Sequence, residues 1–157
     1  MNGQFKTIIC PIDFSQPSET ALAQAVAIAT QCEATLQLLF VVQPMPVSAF
    51  GDGMLFNELN ALPEQSAQTA QALLAKLRDK HCAAIAGRTS LHVEVGVPFV
   101  EIVRFAREAA ADLIVMGSHG RTGIEHMMLG SVTERVVRKA PCSVLVVRDA
   151  NRRFVMP

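Results

Sequence analysis

The chain contains no tryptophan and no tyrosine, and its aromatic fraction is only 5%. Its interior must therefore be built from the small and aliphatic residues that raise the hydrophobic fraction to 50%. An excess of either charge is also missing, since 14 Lys and Arg balance 14 Asp and Glu. This balance disfavours nucleic acid or an anionic membrane as the main partner, because both attract a basic surface.

The sequence shows neither a membrane-spanning segment nor a signal peptide for export. No apolar run is long enough to span a bilayer, and the start of the chain lacks a charged region followed by an apolar one. We therefore expect a cytoplasmic protein that has no contact with membranes.

Pairs of cysteines at metal-binding or redox spacing are absent as well. The four cysteines, Cys10, Cys32, Cys82 and Cys142, are scattered without a Cys-x-x-Cys motif. Disulfide and metal roles are therefore not expected. Cys10 and Cys142 lie in or beside apolar runs, where a buried free thiol packs as a small hydrophobic group.

Most of the predicted strands lack alternation between apolar and polar residues. Continuous apolar runs end near Ile12, Val42, Met116 and Val147. Such runs indicate strands that are buried on both faces, as in a parallel sheet. The segment Thr89 to Val95 alternates and is therefore placed at a sheet edge, with His92 expected on its solvated side.

Helical periodicity separates these strands. The first helix is expected after Ser15 or Gln16 as cap, with Pro17 in its first turn. The second runs from about Leu59 or Pro63 to His81, the third opens at Pro98, and the fourth covers Val132 to Lys139. The buried faces are predicted to be Leu22, Ala25, Val26 and Ala29; Ala70, Leu73, Leu74 and Leu77; and Phe99, Ile102, Val103 and Ala106. The segment Gln43 to Asn57 is predicted to be a long loop.

Strands alternating with helices predict an α/β fold with a five-stranded parallel sheet, strand order 3-2-1-4-5, and helices on both faces. This order creates a topological switch point between the first and fourth strands. Ligands bind at such a point, outside the carboxyl ends of the strands. Asp13 and Gly117 follow those two ends.

A glycine-rich stretch follows the fourth strand. Gly117, Gly120 and Gly123 lead to Gly130-Ser131, where the last helix is predicted to begin. Exposed amides and a helix dipole at such a loop favour an anion, and we interpret it as a phosphate-binding loop. Ser131 and Glu134 have the spacing of a capping box. The Walker and dinucleotide patterns do not fit, because no lysine precedes Ser131 and the first glycines are each three apart.

Asp13 has two roles that the sequence leaves open. It can accept hydrogen bonds from a ribose hydroxyl or an adenine amino group. It can equally cap the next helix through backbone N–H groups such as those of Ser15 or Gln16.

Taken together, several segments resemble the universal stress protein family. Gly117, two residues, Gly120, nine residues and Gly130-Ser131 is similar to the family's nucleotide-binding signature. Further similar segments occur in the same order along the chain: Ile9 to Asp13, Gly96 to Pro98, Asp112 to Gly117, and Pro141 to Val147. The resemblance covers about Phe5 to Arg148, which implies a single domain over residues 1–157 with a tail from residue 149.

The resemblance implies a binding site for ATP, with ADP or AMP as alternatives and Mg²⁺ carried by the phosphates. It implies that Pro11 and the backbone near Val41 line an adenine pocket bordered by Met116, and that Asp13 contacts the ligand. The residues implied around the phosphates are Gly117, Gly120, Gly130, Ser131 and Val132. His119 and Arg121 could add positive charge there or equally be surface residues.

Three functions remain open at this stage. The principal one is a nucleotide-dependent stress or regulatory module with slow or no hydrolysis. The alternatives are a genuine ATPase that uses His119 or His126, and an interaction module of the same fold that binds no nucleotide. The resemblance also implies a homodimer, and the fifth strand, Ser143–Val147, is the expected interface because it would otherwise be an apolar edge.

Overall fold

A computed structural model describes residues 5–44, 56–120 and 129–148. The tail from residue 149 and the central part of the predicted loop, residues 45–55, lie outside the described residues. The strands are β1 Thr7–Pro11, β2 Thr35–Val42, β3 Thr89–Val95, β4 Leu113–Gly117 and β5 Ser143–Val147. The helices are α1 Gln16–Cys32, α2 Phe56–His81, α3 Pro98–Glu108 and α4 Ser131–Lys139, with a 3-10 segment at Ala83–Arg88.

The strands form one parallel sheet in the order β3-β2-β1-β4-β5. This confirms the predicted order and places β1 and β4 side by side at the centre. Ile8 of β1 pairs with Leu113 of β4. Asp112 fixes this register from the opposite end of the sheet to the predicted site, because its carboxylate accepts the Thr7 and Lys6 amides at 2.9 and 2.8 Å. These two hydrogen bonds, that from Thr7 foremost, lower the pKa of Asp112.

Each face of the sheet carries its own apolar core. Ile8 and Cys10 of β1 point into the core formed with α1 and α2, whereas Ile9 points into the core formed with α3 and α4. β4 divides in the same way, with Val115 on the first face and Ile114 on the second. Helices therefore cover both faces, as the non-alternating strands predicted.

Burial also determines the chemistry of the thiols. Cys10 is fully buried, and this burial raises its pKa far above the ordinary range. Cys82 is likewise buried with a raised pKa, while Cys32 and Cys142 are partly exposed. All four cysteines are free. Cys10 thus fills core volume, as predicted, and Cys142 is less buried than expected.

Three predictions about the helices and strands were wrong in detail. α2 begins at Phe56, a few residues before the predicted start, and Leu73 is 39% exposed although it was assigned to the buried face. The fourth helix begins one residue early, at Ser131. His92 is partly exposed, and its ring also lies 4.7 Å from that of Phe105 on α3. Burial lowers the pKa of His92, with Glu94 opposing that effect.

Candidate functional site

A cavity of about 610 Å³ lies at the carboxyl ends of β1, β2 and β4. It occupies the switch point of the sheet, where the chain leaves β1 for one face and β4 for the other. Its volume falls within the range of about 300–1,000 Å³ that is usual for small-molecule sites. The described part of the chain therefore contains an open crevice where the sequence predicted one.

The cavity brings together all the predicted site residues that the structure describes. They are Pro11, Asp13, Val41, Met116, Gly117, His119, Gly120, Gly130, Ser131 and Val132. Arg121 lies outside the described residues, as do Glu125 and His126. The cavity thus gathers residues from three strands, from the loops that follow β1 and β4, and from the start of α4.

Asp13 turns one carboxylate oxygen toward the helix and the other toward the glycine loop. Its Oδ1 accepts the Ser15 amide at 3.0 Å and also the Ser15 hydroxyl. Ser15 is itself the N-cap of α1, accepting the Ser18 amide at 3.3 Å. The second oxygen, Oδ2, faces Gly120. The helix-side contact that the sequence left open is therefore formed, and Asp13 lines the cavity at the same time.

Two of the glycines are required for different reasons. A Cβ on Gly120 would lie 2.6 Å from Asp13 Oδ2, so only glycine leaves that carboxylate in place. A Cβ on Gly117 would lie 2.9 Å from the backbone carbon and oxygen of Pro17. Gly117 therefore permits the close packing of β4 against the start of α1, whereas Gly120 shapes the cavity.

Ser118, which the sequence did not single out, joins the two ends of the glycine loop. Its amide donates to Val147 O at 3.0 Å, and its carbonyl accepts the Gly130 amide at 2.8 Å. The Thr133 hydroxyl adds a buried bond to Gly117 O at 2.9 Å. These bonds hold the start of α4 against the end of β4, so the first turn of α4 lines the cavity. The only indication of this role in the sequence was that Ser118 is a polar residue directly after a buried strand.

The predicted capping box of Ser131 and Glu134 is wrong. Gly130 occupies the N-cap position, and among the described residues no side chain caps the helix, because the bond from the Gly130 amide to Ser118 O starts α4 one residue early. Ser131 therefore lies in the first turn, and Glu134 pairs with Arg138 at 3.0 Å instead. A helix start without a side-chain cap keeps its amides and its positive dipole end available to a ligand.

His119 is buried rather than a surface residue, with 7% exposure. Its Nδ1 lies 3.0 Å from the Ser118 hydroxyl. The cavity is also lined by two residues of α3, namely Ile102, which the sequence assigned to the buried face, and Pro98, which was predicted only to open the helix. Periodicity identified Ile102 as buried, but it could not show that one end of the buried face borders a cavity.

Within residues 5–44, 56–120 and 129–148, no group of three or more His, Cys, Asp and Glu side chains could hold a metal ion. Among the described helices, none is long and apolar enough to cross a membrane. Asp13 is the only carboxylate among the described residues that line the cavity.

The sheet order and the crevice define a doubly wound α/β protein with a cavity at its switch point. The model of the universal stress protein family matches residues 4–148. Universal stress protein MJ0531 of Methanocaldococcus jannaschii is 36% identical over 155 residues, covering 96% of this chain and 88% of the relative. The chain therefore belongs to the universal stress protein family.

Solved structures agree with this assignment. Universal stress protein UspA from Lactobacillus plantarum is 30% identical, covers 94% of this chain and 100% of its own, and superposes with a TM-score of 0.81. A universal stress protein crystallised in complex with cAMP is 28% identical, covers 92% and 97% of the two chains, and has a TM-score of 0.65.

Proposed function

We propose that this protein binds an adenine mononucleotide in the crevice between β1 and β4 and acts as a nucleotide-dependent regulatory module of the stress response. The observation that carries the proposal is the open cavity, because an acidic side chain, glycine backbone and a helix start without a side-chain cap converge on it. A family relative that has been solved with cAMP supports an adenine nucleotide as the ligand class.

Part of the cavity lining is apolar and suited to the base. It includes Pro11, Val41, Ile102 and Met116. An adenine ring buried among such side chains gains from removal of apolar surface, while nearby strand backbone supplies hydrogen-bonding groups. We propose that the Asp13 carboxylate accepts a hydrogen bond from the ribose or the base, because its Oδ2 faces into the loop rather than into the helix.

The phosphates would lie at the start of α4. Ser131 and Val132 line the cavity there, and Gly120 and Gly130 add lining that has no side chain of its own. Unpaired amides and the helix dipole stabilise phosphate at such a position. We propose ATP as the ligand, with ADP and AMP as alternatives. Mg²⁺ would be carried by phosphate and water, since Asp13 alone cannot form a metal site.

We propose that the bound ATP is hydrolysed slowly or not at all. Rapid phosphoryl transfer needs a positioned base together with charged groups around the transferred phosphate. Asp13 already binds the Ser15 amide and hydroxyl through Oδ1. The ATPase alternative uses His119, which lines the cavity, or His126, which lies outside the described residues. Steady-state turnover that is abolished by His119→Ala, with ATP binding retained, would favour the ATPase.

Calorimetric titration with ATP, ADP and AMP, with and without Mg²⁺, tests the proposal directly. Mass spectrometry of the small molecule released from freshly purified protein identifies the ligand carried from cells. We expect saturable binding of an adenine nucleotide at one site per chain. Absence of both bound and titratable nucleotide would contradict the proposal and favour the interaction module that binds no nucleotide.

We also propose that two copies pair through β5. This strand is an edge of the sheet, and Leu145 on it and Val137 on α4 are 39% and 47% exposed. An apolar edge is stabilised by pairing with a second copy about a twofold axis. Light scattering should give twice the chain mass of 17.0 kDa. Leu145→Lys should shift the protein toward the monomer, and a wild-type monomer at micromolar concentration would contradict the pairing.

A further inference from the structure

Phe14 has an unusual backbone conformation next to the proposed ligand contact. It lies between Asp13 and the N-cap residue Ser15, and its φ is 62°. This is the left-handed region, which a bulky side chain rarely adopts because its Cβ approaches the following carbonyl oxygen. Such a conformation persists where surrounding contacts hold it, and it is frequent next to functional sites.

The turn sends two consecutive side chains into different cavities. Asp13 lines the crevice, whereas Phe14 lines a second cavity of about 360 Å³ between β2 and α2. Phe40 of β2 borders both cavities and forms part of the wall between them. The side chains of Asp13 and Phe14 therefore lie on opposite sides of Phe40.

Two sets of contacts hold this arrangement. The Phe14 ring packs on the Phe40 ring with centroids 5.0 Å apart. On the other side of the turn, the Asp13 carboxylate accepts the Ser15 amide at 3.0 Å and the Ser15 hydroxyl. The ring contact fixes Phe14, and the hydrogen bonds join the residues that flank it.

We propose that Phe14 is a positioning residue for the nucleotide site. Its ring, anchored on Phe40, holds the left-handed turn that keeps the Asp13 carboxylate directed at Gly120 and the crevice. The proposal rests on the proposed function for its effect on binding, but its effect on the turn does not require a ligand. Glycine would adopt the same backbone freely, so the ring contact replaces what glycine would supply.

Phe14→Ala and Phe14→Gly separate this role from ordinary packing. Both substitutions remove the ring, but only alanine retains the Cβ that disfavours the left-handed turn. We expect Phe14→Ala to weaken ATP binding about tenfold, and Phe14→Gly to remain closer to the wild type. If Phe14 only fills space, the two variants should lose ATP affinity equally, because both remove the same ring.

A second measurement applies to the protein without nucleotide. Hydrogen exchange of the Ser15 amide, followed by NMR, reports the bond to Asp13. We expect exchange to accelerate clearly in Phe14→Ala and less in Phe14→Gly. Phe99→Ala is the matched control: Phe99 is a half-buried aromatic residue packed in the other core. It should lower Tm without changing Ser15 exchange.

The two readouts distinguish failure of this inference from failure of the proposed function. Wild-type protein that binds no ATP would overturn the function, and Ser15 exchange would still decide the role of Phe14. Equal exchange and equal affinity in the alanine and glycine variants would overturn the positioning role. In an Asp13→Ala background, the Phe14 substitutions should cause no further loss of ATP affinity, and an additional tenfold loss would contradict the proposal.

Discussion

The two walls of the crevice are built in different ways. The β1 wall includes Asp13 and Ser18, whose side-chain oxygens bond Ser15 at the start of α1. The β4 wall, made of Gly117, Gly120 and Gly130, presents backbone without side chains. A side chain of the β1 wall can be replaced by one of the same shape but different charge. The β4 wall has no side chain to replace, so it is tested by adding a methyl group to a glycine.

Gly120→Ala should have the largest effect on binding, because it places a Cβ 2.6 Å from Asp13 Oδ2 and disturbs both walls at once. We expect the Asp13 carboxylate to move away from the added methyl group, and ATP affinity to fall by about 30-fold, or about 2 kcal/mol, in calorimetry. Gly87→Ala is the matched control, since a Cβ there has no atom within 4 Å. Equal affinities in the two variants would show that the β4 wall does not contact the ligand.

Asp13→Asn alters only the chemistry of the β1 wall. The amide oxygen can still accept from Ser15, so the fold should be retained, but the charge-assisted hydrogen bond to the ligand is lost. We expect a loss of about 1.5–3 kcal/mol in binding, roughly 10- to 100-fold in Kd. Asp79→Asn, on the exposed face of α2, serves as control because its ion pair with Arg78 is at the surface. Unchanged affinity in Asp13→Asn would leave Asp13 with the helix-side role alone.

Thr133→Val tests the bond that holds the start of α4 to the end of β4. It removes the buried hydroxyl that donates to Gly117 O at 2.9 Å. We expect the free energy of unfolding to fall by about 1–2 kcal/mol in urea denaturation, together with a several-fold weaker affinity for ATP. Thr20→Val removes an exposed hydroxyl bond within α1 and should change both quantities much less. Reduced stability with wild-type affinity would show that α4 is not positioned for the phosphates by this bond.

Arg104→Met should have the smallest effect, although Arg104 lies in the densest charge cluster among the described residues. It bonds Glu101 at 2.6 Å, Glu94 at 2.8 Å and Glu108 at 2.9 Å, and the bonds to Glu101 foremost raise its pKa. Because Arg104 is exposed and does not line the crevice, ATP affinity should change by less than about twofold. A larger change in calorimetry would mean that side-chain charge outside both walls contributes to binding.

The sequence predicted the strand order and the place of the crevice because both depend on patterns that are local in the chain. Leu113 to Met116 is a continuous apolar run, which indicates a strand buried on both faces. In β3, apolar and polar residues alternate, which indicates a strand at the edge of the sheet. The helix ends were less predictable. Ser131 and Glu134 have the spacing of a capping box, yet the bond between Gly130 and Ser118 moved the helix start.

Exposure and side-chain environment were predicted least well. Leu73 matches the periodicity of the buried face of α2 but is 39% exposed. His92 alternates toward a polar face but its ring contacts Phe105 of α3 on one side. Both depend on which neighbouring element lies above a residue, and periodicity carries no information about that neighbour.

The amino-acid sequence alone specified a parallel doubly wound sheet and a glycine-rich loop after its fourth strand, because periodicity and glycine spacing are properties of short segments. The tertiary structure determined which residues contact the ends of this loop. Ser118 meets Gly130 and Val147, Thr133 meets Gly117, and Asp13 faces Gly120. These contacts join residues from about ten to more than a hundred positions apart, so they form only when β1, β4 and β5 are aligned in one sheet.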